Sequence, residues 1–205
     1  MHSPQCLMPI AYLGSIAYYS LLKNNEPIQF EIMEHFPKQT IRNRCTILTA
    51  NGIMNLTVPI KKTAHKILTK DVKLCYTEPW NRKHLHAIKS AYGSSPYFEH
   101  LFPLLEPFYQ KEYSFLIDFN IGLQQQICSL LKLEFIYSLT NEYIFPNNDK
   151  KDYRYNEIKI NTALNTIPYH QVFTNKYKFV PNLSIIDLVF NEGLYAKNYL
   201  KTISI

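Results

Sequence analysis

The side chains of this chain best suited to gripping an anion are Arg42, Arg44, Lys61 and Lys62, with Lys38 just upstream. They lie in and beside RNRCTILTANGIMNLTVPIKK, residues 42–62, where two β-rich runs flank Asn51-Gly52. An Asn-Gly pair between such runs predicts a β-hairpin, because the tight primed turn needs positive φ at both positions. A turn at 51–52 sets Ala50 opposite Ile53, Ile47 opposite Leu56 and Cys45 opposite Val58, which gives an apolar face for the core. The same ladder carried outward puts Asn43 opposite Ile60, Arg44 opposite Pro59 and Arg42 opposite Lys61. Like charges facing each other across a ladder are destabilising by up to about 1 kcal/mol. A carboxylate, solvent or a bound anion must then compensate. Arginine grips phosphate and carboxylate bidentately, and lysine adds charge. Side chains splayed into water are the plainer reading.

Two further groups are candidates for proton chemistry. His84 follows Trp80 by one turn of a predicted helix in WNRKHLHAIKSAY (80–92), and an imidazole there suits a general base near neutral pH. A histidine beside a tryptophan also serves as a packed, hydrogen-bonded core residue. In FVPNLSIIDLVFNEG (179–193), Asp187 is the only charged residue of the apolar run Leu183–Phe190. Ser184-Ile185-Ile186-Asp187 fits a capping box, with Asp187 reaching back to the Ser184 backbone N–H. Gly193 falls where a helix terminates with positive φ. Helix physics alone then accounts for Ser184, Asp187 and Gly193, whereas Asn191 and Glu192 at the helix end are left without such a reason.

The sequence lacks the phosphate loops GxxxxGK[ST] and GxGxxG, the nucleophile elbow GxSxG, a DxD pair, an HxGH and a helical HxxxH. Its four cysteines are far apart, with no CxxC, which predicts free thiols in a reducing compartment. No metal ligand set and no cofactor site is expected.

The elements that must position these residues are a helix over 10–23, a strand in PIQFEIM (27–33), the hairpin at about 42–60, and a strand over 71–76. A helix from Thr77, a long helix over 113–133 and a strand in EFIYSLT (134–140) follow. The polar stretch 140–167 is expected to be a surface loop or flap. This order predicts one α/β or α+β domain, with a central sheet that includes the hairpin at about 42–60 and is flanked by helices, spanning all 205 residues. Hydrophobic residues at 46% and charged residues at 19% fit a globular chain. The net charge of +6 suits an anionic partner. No nucleic-acid-binding pattern accompanies that charge. No segment reaches about 18 uninterrupted apolar residues, so no membrane span and a cytoplasmic location are expected.

Taken together, IRNRC (41–45), LTVPIKK (56–62), WNRKHLHAIKSAYGSSPYFE (80–99), LIDFN (116–120) and FVPNLSIIDLVFNEG resemble the WbqC-like family of bacteria. The resemblance covers most of residues 9–135 and 168–200. Two departures stand out: Thr40-Ile41 occupies the place where members often carry an aromatic before the Asn-Arg pair, and 140–167 is short. The resemblance implies a cytoplasmic protein of O-antigen and other surface-polysaccharide clusters. It also implies an acyl or aminoacyl (glycine) transferase acting on an amino sugar or nucleotide sugar. The positions matching family blocks are His84 and Asp187 as catalytic candidates, and Asn43, Arg44, Lys61, Lys62, Trp80, Tyr92 and Asn191 as substrate-binding candidates. The implied partner is a phosphorylated or nucleotide sugar; a non-catalytic anion- or partner-binding module of polysaccharide assembly is the alternative.

Overall fold

The computed structural model describes residues 6–24, 27–146, 151–154 and 166–203. Four short strands form a parallel sheet: β1 (Cys6–Met8), β2 (Ile28–Phe30), β5 (Tyr137–Leu139) and β6 (Lys151–Asp152). Their spatial order is β5-β2-β1-β6, with Cys6 paired to Ile28 and Lys151, and Ile28 paired to Tyr137. Cys6, Leu7 and Met8 are all buried, as a strand covered on both faces requires. A separate antiparallel hairpin joins β3 (Arg44–Thr49) to β4 (Gly52–Thr57). The helices are α1 (Ile16–Asn24), α2 (Trp80–Tyr92), α3 (Phe98–Leu105), α4 (Pro107–Gln110), α5 (Leu116–Leu130), α6 (Ile185–Glu192) and α7 (Ala196–Thr202). This is the mixed α/β domain with flanking helices that the sequence predicts, except that the hairpin stands apart from the central sheet and is not part of it.

Local boundaries differ in instructive ways. The predicted helix over 10–23 begins only at Ile16, and residues before it supply β1, whose three residues are too few for a period-2 pattern. Seven consecutive residues of α1, Ile16–Leu22, are buried, because α1 packs against α6 and α7. The expected strand over 71–76 is instead a 3-10 turn at Thr69–Asp71, followed by single bridges from Lys73 to Phe115 and from Leu74 to Ile60. Of the expected flap, residues 147–150 and 155–165 lie outside the described residues. Its described part includes β6 and the buried Arg154, so that part is structural and not only a surface loop.

The hairpin forms, but its register is not the predicted one. Thr49 pairs with Gly52 and Arg44 with Thr57, so the reversal uses Ala50-Asn51 and Gly52 supplies positive φ at the first residue of the return strand. Thr49 Oγ1 accepts from the Asn51 N–H, and Lys176 and Tyr177 donate to the Ala50 carbonyl, which fixes the tip from outside. A slip of two residues preserves the facing of side chains along each strand. The expected inward face holds only toward the hairpin base: Cys45, Ile47 and Leu56 are buried, whereas Ala50 and Ile53, expected to face the core, are exposed at the tip. The slip still moves the basic residues: Asn43 now exchanges hydrogen bonds with Val58, and Arg42 is no longer abreast of Lys61.

Candidate functional site

Numbered along the chain, the four sheet strands lie in the order third, second, first, fourth. The direction of winding reverses at β1, and open α/β sheets bind ligands outside the carboxyl ends of the strands at such a reversal. Segment 41–44 crosses this edge. The Ile41 carbonyl accepts from the Tyr12 N–H in the loop after β1, and Arg42 donates to the Arg154 carbonyl beyond β6. Arg42 Nε also meets Glu34, four residues past the end of β2, at 2.6 Å.

Arg42 therefore turns inward. Both Arg42 and Glu34 are almost fully buried, and burial pushes the Glu34 carboxyl up while Arg42 opposes the shift. Beside them Arg154 meets Glu31 at 3.0 Å and Asp152 at 2.6 Å, with its guanidinium over the Tyr143 ring. Glu31 also accepts from Thr140 Oγ1 and the Ile144 N–H. Two arginines and three carboxylates thus tie together the carboxyl ends of β2, β5 and β6. The predicted pairing of Arg42 with Lys61 does not occur, because the register slips by two residues and Glu34 takes Arg42. Lys38, Lys61 and Lys62 are exposed, and Lys61 lines a different cleft, together with Lys73 and Cys75.

Arg44 has the opposite fate. It is half-buried, its Nε donates to Thr57 Oγ1 at 3.1 Å, and among the described residues it makes no ion pair. It lines a cavity of about 80 Å³ with Leu13, Gly14, Ser15, Thr46, Asn182 and Ser184. That cavity lies where the loop leaving β1 enters α1 and where α6 begins. The two helix starts are bridged to each other: Ile16 N–H donates to the Leu183 carbonyl and Ile185 N–H to the Gly14 carbonyl. Asn182 and Ser15 accept from the next two amides of α1. A side chain at Gly14 would strike the Tyr18 ring, so glycine permits the approach.

The capping box does not form. The Ser184 N–H donates to the Thr46 carbonyl and its hydroxyl to the Leu13 carbonyl. Tertiary contacts take both groups, and Asp187 turns inward. Its Oδ2 accepts from Tyr169 at 2.5 Å and from Gln171 at 3.0 Å, and Tyr92 faces it from α2. No cation pairs with it among the described residues. Burial raises the Asp187 pKa, opposed by these neutral donors. Asn191 donates to the Asp187 carbonyl, one turn back. Gly193 ends α6 with positive φ, as expected.

His84 and Trp80 lie in an aromatic group with Tyr12, Tyr109 and Phe119. Nδ1 of His84 and the Tyr12 hydroxyl are 2.8 Å apart, and Tyr12 reaches Tyr109 at 2.8 Å. The ring also meets the Thr57 carbonyl. Burial lowers the His84 pKa to about 4, so the imidazole is neutral at pH 7. The packed-core reading of this histidine describes its surroundings.

The candidates thus fall into three groups: Trp80 with His84; Tyr92, Asp187 and Asn191 around α6; and Asn43 beside Arg44 at the hairpin base. Lys61 and Lys62 stand outside all three. Sequence reasoning missed Glu31, Glu34, Arg154 and Tyr169, which carry no local spacing signal. Asn120 had one, as a polar residue within the apolar run of LIDFN. It donates to the Arg42 carbonyl at 2.7 Å. Among the described residues no helix is long and apolar enough to cross a membrane, and no cluster of His, Cys, Asp and Glu could hold a metal ion.

The model of the WbqC-like protein family matches residues 11–158 and 147–199, so the chain belongs to that family. No curated protein and no solved structure matches it. The blocks that carried the resemblance meet in space: Asn120 on Arg42, Asn43 on Val58, and Ser184 on Thr46 just beyond the first block.

Proposed function

We propose that this WbqC-like protein is a cytoplasmic transferase of surface-polysaccharide (O-antigen) biosynthesis. In this reading it transfers an acyl or aminoacyl group to an amino sugar carried as a phosphorylated or nucleotide sugar. The observation that carries the reading is Arg44: a guanidinium without a carboxylate partner among the described residues, beside the loop leaving β1, at the edge where open α/β sheets take ligands. A cavity of about 80 Å³ suits a single phosphate or carboxylate group, with the remainder of the ligand lying outside it. Arg44 grips the anion, while Asn43 fixes the strand that presents it. His84 and Asp187 act by position: His84 holds Tyr12 in the loop after β1, and Asp187 anchors the segment containing Tyr169 and Gln171 against α6.

One observation favours the non-catalytic alternative, a binding module of polysaccharide assembly. The two groups best suited to proton transfer, His84 and Asp187, are both sealed from solvent. The test is a panel of uridine, guanosine and thymidine sugars read by thermal shift, with Arg44→Gln as control. Stabilisation of the protein by at least one sugar, lost in R44Q without a change in the unliganded melting temperature, is expected. No shift with any of them refutes the reading. A variant that still supports normal polysaccharide but fails to form its complex establishes the binding module instead.

A further inference from the structure

A second cleft, of about 300 Å³, opens between the segment after β2 and the loop after β4. It is lined by His35, Phe36, Lys38, Ile60, Thr63, Ala64, His65, Lys66 and Ile67. Every titratable group on its wall is a lysine or a histidine. The acid nearest in sequence, Glu34, is turned inward and held by Arg42, so it does not neutralise this wall. The two segments are joined by backbone: His35 bridges Leu68, Phe36 N–H donates to the Ile67 carbonyl, and Thr69 N–H to the Glu34 carbonyl.

The basic groups are thus held along one concavity by a backbone frame. A cleft lined by charge of one sign concentrates counter-ions, and its field is relieved when an anion enters. Lysine ammonium and imidazole N–H groups are donors to phosphate oxygens. Phe36, Ile60 and Ile67 offer an apolar wall for the body of a ligand. The volume lies at the lower end of the range for small-molecule pockets.

We propose that this cleft binds a small phosphorylated molecule, with the phosphate held by Lys38, Lys66, His35 and His65 and the organic part against Phe36. The site is separate from Arg44, shares no lining residue with that cavity, and stands whether or not the protein is a transferase.

The test follows the imidazole resonances of the whole protein by NMR during titration with pyrophosphate and, separately, a sugar phosphate, against sodium chloride at matched ionic strength. Saturable shifts at His35 and His65 are expected with both phosphates and not with chloride. Lys38→Ala together with Lys66→Ala should weaken binding by at least about tenfold. The Arg44→Gln variant should bind as the parent does, which separates this site from the transferase reading. A response to pyrophosphate alone reduces the site to a bare-anion site and overturns the organic part of the proposal. Absence of shifts at the two histidines, equal shifts with chloride, or unchanged affinity in the double variant overturns it entirely. Binding to RNA or anionic vesicles without a response to the small phosphates does the same.

Discussion

Acidification should unfold this protein partly through His84. Its pKa falls from an ordinary 6.5 to about 4 because the folded protein strips water from the ring. The unfolded chain therefore takes up a proton on this residue at a higher pH than the folded chain does. For a depressed folded pKa the stability contribution is complete above the unfolded value and is lost as pH falls toward the folded one. The full difference, at about 1.4 kcal/mol per pKa unit, lies between about 3 and 4 kcal/mol, and about 2 kcal/mol of it is already lost between pH 7 and pH 5. The ring is only 6% exposed, so solvent screening does not reduce this much. Urea unfolding of the parent and of His84→Gln, measured from pH 7 to pH 4.5, isolates the term. Glutamine keeps an acceptor for Tyr12 and a donor for the Thr57 carbonyl but does not titrate. The stability gap between the two proteins should shift by about 2 kcal/mol toward the variant by pH 5. A gap that stays constant with pH, or His84 ring resonances titrating near 6.5, would refute the reasoning.

Three further outcomes are expected. Arg42→Met leaves the Glu34 carboxylate buried without its cation and should cost about 3–5 kcal/mol in chemical denaturation, with part recovered when Glu34→Gln is added. Gly193→Ala forces a methyl onto the Tyr97 ring at 2.6 Å and strains a positive φ, so it should lower stability by more than about 1 kcal/mol. A melting temperature equal to that of the parent contradicts this. Asp187 has a raised folded pKa, so its charge opposes folding at every pH above the ordinary aspartate range, and the penalty grows as pH rises through the folded value. Asp187→Asn should gain on the parent as pH increases from about 4, and a pH-independent difference between the two melting curves rules out that assignment.

The local patterns were legible in the residues themselves. Period-3.6 burial placed α2 with Trp80, His84, Ile88 and Ala91 on one face, and Asn51-Gly52 marked the hairpin within one residue of its reversal. Alternation decided which side chains of β3 and β4 face inward, and a slip of two residues could not change that. The fate of each charge was not legible. Arg42 and Arg44 are two residues apart and chemically identical, yet one is locked onto the buried Glu34 carboxylate and the other opens onto a cavity. That choice depends on Glu34, Glu31 and Arg154, which approach only when β2, β5 and β6 line up their carboxyl ends.

Asp187 makes the same point at a helix start. The local sequence offers a capping box, but Thr46 and Leu13 take the Ser184 groups that the box needs. Local sequence determined the hairpin, the main helices and the family to which the chain belongs, because these follow from backbone propensity and periodic burial within a few residues; the short strands β1 and β6 of the parallel sheet carry too few residues for such a pattern. Tertiary structure decided the pairing of the arginines, the sealing of His84 and the place of Asp187. Burial and long-range hydrogen bonding set the energy of a charged or polar group, and both depend on residues far away in the chain.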